Sequence, residues 1–208
     1  MNFPIFGRNK YPAAMNAIAL KSFIFDRMTN EEFVAFCLEQ RELKIERTAE
    51  GEIILMPPTY SKTGKTNVEI LLQLAFWNKK AKLGEVFDSS TGFTLPNGAM
   101  RSPDASWIAN ERWNALTPQQ QNSFAPICPD FVIELKSESD TVGELTKKME
   151  QDWLGNGCRL GWLIDPDEAK VYIFRADGSR DTIDGFDKEV SGEAVLSGFL
   201  LQLKELKS

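Results

Sequence analysis

The alternation of apolar and polar positions divides the chain into a mixed series of helices and strands. Thr29 is placed to cap a helix whose first turn carries Glu31 and Glu32 and whose Phe33, Phe36 and Cys37 fall at helical spacing. Two short β segments follow, Leu43–Arg47 and Glu52–Met56. The turn Thr48-Ala49-Glu50-Gly51 between them predicts a hairpin, which Pro57-Pro58 ends. From Thr66 to about Lys80, Ile70, Leu71, Leu74 and Trp77 lie on one face of a second predicted helix, with Gly84 at its C-cap region. Residues Glu85–Leu95 and Arg101–Ala109 predict two strands across the turn Pro96-Asn97-Gly98. Short helical turns open at Glu111 and at Thr117, where Pro118 takes the first helical position.

The run Phe131-Val132-Ile133-Glu134-Leu135-Lys136 is too short for a helix and rich in β formers, so it predicts a buried strand. A helix from Thr141 to about Leu154 carries Leu145, Met149 and Trp153 along one side and stops at Gly155 and Gly157. Leu160–Ile164 is a second buried strand. Asp165-Pro166-Asp167 turns it into Val171–Phe174, and short strands and a terminal cover follow. A helix, then strands, then a crossover helix, then strands predicts an α/β fold with a mixed sheet flanked by helices. Residues 1–27, punctuated by Pro4, Gly7, Asn9 and Pro12, hold no period and are expected to form a loosely tied tail to a single domain over residues 28–208.

Composition narrows the chemistry. The chain has no histidine, which removes Ser-His-Asp hydrolases, Cys-His proteases and HExxH metalloproteases in their usual forms. Any metal site must use oxygen ligands, favouring Mg²⁺, Mn²⁺ or Ca²⁺ over Zn²⁺. Cys37, Cys128 and Cys158 are scattered and odd in number, as expected of buried small apolar residues in a reducing compartment. No apolar stretch is long enough for a membrane helix, and cytoplasm is the expected location. A net charge of −6 argues mildly against a nucleic-acid coat, although an acidic metal site lowers the total without excluding a local basic face.

One constellation carries chemistry. Glu134 and Lys136 are two apart on a predicted strand and so point to one face. Burying a carboxylate and an ammonium in such a strand is costly unless they pair or bind something. Asp104 lies in a second predicted strand; if the two strands are neighbours, Asp104 and Glu134 can converge on one cation. Phosphodiester hydrolysis needs such a pair, with a lysine beside it to hold negative charge. The bland alternative is an edge ion pair between Glu134 and Lys136, with Asp104 a turn residue after Pro103. Lys147 and Lys148 on the crossover helix are read first as a solvated face and second as contacts to a DNA backbone. Gln151, one turn on, is a weaker candidate to assist the site. Trp107, Trp113, Trp153 and Trp162 read as core packing. Gly64-Lys65-Thr66 lacks the upstream glycine of a phosphate-binding loop, since Tyr60 stands there.

Ser102-Pro103-Asp104 together with Glu134-Leu135-Lys136 resembles the PD-(D/E)xK motif of restriction-endonuclease-like nucleases. Over about residues 29–203 the chain resembles, more specifically, the Uma-type family of bacterial nucleases. The resemblance rests also on Ile45-Glu46-Arg47, Gly51–Pro58, Pro129–Ser137 and Gly161–Pro166. It implies a restriction-endonuclease-like core, Asp104 and Glu134 as Mg²⁺ ligands, Lys136 as the catalytic lysine, and an upstream acid at Glu46, with Glu69 as the competing candidate. The backbone carbonyl of Leu135 would complete the coordination. DNA is the implied substrate, and a homodimer or helper protein is expected to supply binding surface that the sequence does not show. Many members carry a histidine near the start of the second helix, where this chain has Lys65, Thr66 and Asn67. A catalytically silent interaction module with the same fold is the alternative function.

Overall fold

The computed structural model describes residues 18–20 and 28–207. In chain order the elements are β1 (Ile18–Leu20), α1 (Asn30–Glu39), β2 (Lys44–Arg47), β3 (Ile53–Met56), α2 (Ser61–Ala81), β4 (Gly84–Asp88), β5 (Phe93–Thr94), β6 (Met100–Arg101) and β7 (Ala105–Ala109). Short helices α3 (Asn110–Asn114) and α4 (Pro118–Gln121) lead to β8 (Phe131–Leu135), then α5 (Val142–Lys147), which continues as a π-helical turn over Lys148–Trp153. Strands β9 (Leu160–Asp165), β10 (Lys170–Arg175), β11 (Arg180–Asp184), β12 (Glu189–Ser191) and β13 (Leu200–Gln202) complete the described chain.

A six-stranded sheet in the order β11-β10-β9-β8-β7-β4 forms the centre. Within it β8 and β9 run parallel and the other neighbours antiparallel, and the helical segment between β8 and β9 is the crossover that parallel pairing requires. A second sheet, β1-β3-β2-β6-β5, stands beside it, and β12-β13 forms a small ribbon. Alternation on the central strands separates two cores. Ile133, Leu135, Trp162 and Ile164 face α2 through Ile70 and Leu74. Val132 and Leu163 face the other way, onto Met149 and Trp153 of the π-turn. Phe33, Ile45, Ile53 and Met100 form a third cluster between α1 and the second sheet.

The mixed α/β fold expected from the sequence is thus the fold observed, and the N-terminal helix and hairpin are in place. The helix begins on the Thr29–Glu32 capping box, and β2 pairs with β3 in antiparallel register from Lys44↔Met56 to Arg47↔Ile53. Ile18–Leu20, placed in the expected tail, instead pair antiparallel with β3; the rest of that tail lies outside the described residues.

Two predicted strands are broken where they were expected to continue. Residues 85–95 divide into β4 and β5 because Asp88 Oδ1 accepts hydrogen bonds from the Ser90 backbone N–H and the Ser90 and Thr91 hydroxyls, which turns the chain. Residues 101–109 divide at Ser102-Pro103, where proline cannot donate to a ladder. At both breaks the chain passes between the two sheets. Gly84 is the first residue of β4, not a helix cap; α2 ends on Lys82 in a left-handed conformation (φ 55°).

Candidate metal centre

The breaks position the site. Glu46 comes from β2 of the second sheet. Asp104 follows the Ser102-Pro103 break, where the chain enters the central sheet. Its backbone N–H donates to Ile133 O at 3.0 Å, beside Glu134 on β8. The Leu135 N–H donates to Asp104 Oδ2 at 2.8 Å, so the Leu135 backbone borders that carboxylate. Strand pairing therefore brings Asp104 and Glu134 together as the sequence pattern anticipated.

Glu46, and not Glu69, joins them. Glu46 is 2% exposed; its Oε2 lies 3.1 Å from Arg101 Nη1 and its Oε1 accepts from the Ser102 N–H at 3.2 Å. Glu69 is engaged elsewhere, accepting from Gln73 on its own helix.

The lysine beside the acids is Lys148. Its Nζ lies 3.0 Å from Glu134 Oε1 and 3.6 Å from Glu46 Oε1. Lys136 follows the last residue of β8, and its Nζ reaches Asp167 at 2.9 Å and Asp165 at 3.8 Å, across the turn after β9. The two-residue spacing puts Glu134 and Lys136 on one face only while the strand lasts; at its end, the Asp165-Asp167 pair draws the ammonium to itself. The expected solvated face at Lys147 and Lys148 is half right. Lys147 is exposed, whereas the Lys148 side chain is mostly buried. Gln151 is exposed.

The π-turn explains why Lys148 arrives there. In i→i+5 geometry, residues five apart lie closer to one face than they would on an α-helix. Lys148 and Trp153 are five apart, and both reach Glu134: the Trp153 indole N–H donates to Oε1 at 2.6 Å. Asp152, on the same turn, holds Arg101 Nη2 at 2.7 Å. Trp153 packs in the core as expected, and this polar contact is additional. The sequence offered Lys148 only as a solvated or DNA-contacting residue, and Arg101 in no role, because periodicity reads the segment as an ordinary helix with its apolar side at Leu145, Met149 and Trp153.

Electrostatics separate the three acids. Burial pushes Glu134 up to about 7, and repulsion from Asp104 and Glu46 adds to this against the pull of Lys148. Asp104 is also raised, chiefly by burial, with Glu46 adding repulsion. Burial acts on Glu46 in the same sense, but Lys148, Arg101, Lys44 and the Ser102 N–H together hold it below the usual carboxylate value. Lys148 is raised: burial alone would lower it, and Glu134 and Glu46 outweigh burial.

Among the described residues no three His, Cys, Asp or Glu side chains stand together as a ready metal cage. The donor chemistry nonetheless suits a hard cation of the Mg²⁺ kind, which binds through one or two carboxylates and keeps several waters. Asp104 keeps some exposure; among the described residues its side chain accepts one hydrogen bond, from the Leu135 N–H, and makes no salt bridge, leaving oxygen capacity beside Glu134.

A family model described as "Uma2: Putative restriction endonuclease" matches residues 30–204. The chain belongs to the Uma2 family. Among solved structures it is similar to "a putative nuclease belonging to DUF820" from Anabaena variabilis, with 26% identity, a TM-score of 0.65, and coverage of 78% of this chain and 89% of that one. No curated protein matches. The Uma2 match spans every residue of the acid cluster, and the resemblance read from Ser102-Pro103-Asp104 and Glu134-Leu135-Lys136 is thereby borne out at the level of a restriction-endonuclease-like nuclease family. No helix among the described residues is long and apolar enough to cross a membrane.

Proposed function

We propose that this protein is a Mg²⁺- or Mn²⁺-dependent endonuclease acting on DNA phosphodiester bonds. The observation that carries the reading is the meeting of Asp104 and Glu134 on paired backbone beside a buried ammonium, in a chain of a restriction-endonuclease-like family. Asp104 and Glu134, with the Leu135 backbone carbonyl, would hold the cation. Such a cation supplies charge neutralisation at the scissile phosphate and a more acidic water. Lys148, in the role that the sequence pattern assigned to Lys136, places a positive charge where negative charge develops. Glu46, kept ionised by Arg101 and the Ser102 N–H, orients the ammonium and nearby water. Lys136 secures the end of β8 to the turn after β9. A homodimer would extend the surface facing DNA.

The test is plasmid nicking with Mg²⁺ and Mn²⁺. Metal-dependent nicking is expected in the wild type, with losses on the order of 10²-fold or more in Asp104→Ala and Lys148→Ala. A smaller loss is expected in Lys136→Ala, and the reverse order would return the role to Lys136. One observation favours a second reading: Lys148 and Arg101 already neutralise much of the acid cluster, as a structural ion network does. A folded wild type that nicks in neither metal would select that reading, a catalytically silent interaction module.

A further inference from the structure

We propose that the Lys148 ammonium is a resident counter-ion that a divalent cation must displace from Glu134, so that the site alternates between a lysine-held and a metal-held state. This rests on the metal-binding reading above. The ammonium contacts the carboxylate that would ligate the cation, at 3.0 and 3.2 Å to its two oxygens. A monovalent and a divalent cation cannot share one buried carboxylate at contact distance without strong repulsion in a low-dielectric setting.

The surroundings suit an exchange. Trp153 offers its ring face 5.9 Å from Nζ, a second favourable place for a cation. Arg101 bridges Glu46 and Asp152 independently of Lys148, so Glu46 keeps a partner when the ammonium leaves. The Trp153 N–H also donates to Glu134 Oε1, which keeps the carboxylate in place while its cation changes. Asp104, which makes no salt bridge among the described residues, is where an entering cation would first find a carboxylate oxygen. Metal affinity is then reduced by the fraction of molecules in which lysine holds the acid, and release of the ammonium toward the phosphate is coupled to metal entry.

The experiment measures Mn²⁺ binding by calorimetry without DNA, in wild type and Lys148→Met. A second comparison, Glu46→Gln against Glu46→Gln/Lys148→Met, differs only in the ammonium, and the double variant keeps the charge balance of the wild-type cluster. Folding is checked by circular dichroism. Tighter Mn²⁺ binding by about tenfold or more on removal of the lysine, in either comparison, is the expected result. Equal or weaker binding in the folded lysine-free variants, with clear binding in the wild type, would overturn the exchange and leave the metal site standing. Absence of Mn²⁺ binding in all four proteins would overturn the exchange together with the metal-dependent reading.

Discussion

Trp153 donates its indole N–H to Glu134 Oε1 at 2.6 Å, joining the largest side chain of the π-turn to the carboxylate at the centre of the sheet. Replacing this tryptophan by phenylalanine keeps most of the ring volume in the core and removes the donor. A lost hydrogen bond to a charged group in a buried site costs about 1.5–3 kcal/mol. Trp153→Phe is expected to lower stability by an amount in this range, read as a shift of the urea midpoint. The Glu134 carboxyl should rise further, measurable by NMR of labelled glutamate.

The raised Glu134 predicts how stability changes with pH. Its folded value is about 7 against an ordinary 4.5, so between these limits the folded state binds more protons than the unfolded state. Stability from this group is present in full below pH 4.5 and is lost as pH rises through 7. In EDTA, the melting temperature of the wild type should fall across that window more steeply than that of Glu134→Gln. Parallel curves for the two proteins would rule out the assignment.

Gly84 starts β4 in a space with no room for a methyl group. A Cβ there would stand 2.1 Å from the Ile108 carbonyl oxygen and 2.5 Å from the Trp107 ring. The carbonyl is backbone, in the strand that β4 pairs with, so it cannot rotate away. Gly84→Ala should therefore destabilise by at least the 1–3 kcal/mol or so typical of overpacking. Thermal unfolding checks this, with Gly98→Ala as a contrast in which conformation and not space is at issue.

The thiols should be inert in the native state. Burial pushes Cys37 up to about 11 and Cys128 up to about 12, and Cys158 is raised well above its ordinary value. Thiolate is the reactive form, so at pH 8 a disulfide reagent should label the native protein slowly and all three thiols promptly in denaturant. Rapid native labelling of Cys128 or Cys158 would contradict the packing described.

The sequence made the central strands legible because β8 and β9 are short apolar runs between clear turn signals; it made Glu134 legible because it interrupts such a run, and Asp104 because it stands at the start of another, just before β7. It hid the place of Lys148 among the acids for a physical reason. A π-turn changes which residues share a face without changing which residues are apolar, so hydrophobic spacing carries no trace of it. The exit of Lys136 from the site was hidden too. It depends on where β8 stops and on Asp165 and Asp167, about thirty residues further along the chain. The breaks in the strands at 85–95 and 101–109 were missed: Asp88-Ser89-Ser90 and Ser102-Pro103 carry the local chemistry for them, but their consequence, a change of sheet, is a tertiary event.

That change of sheet makes the charged cluster a latch. Glu46 and Arg101 belong to one sheet and Glu134 to the other, while Lys148 and Asp152 ride on the helical crossover. None of the three bodies can part from the others without leaving an uncompensated charge in an apolar surrounding. The ion cluster therefore ties their opening into one cooperative event, and whatever binds at the seam will stiffen both sheets at once.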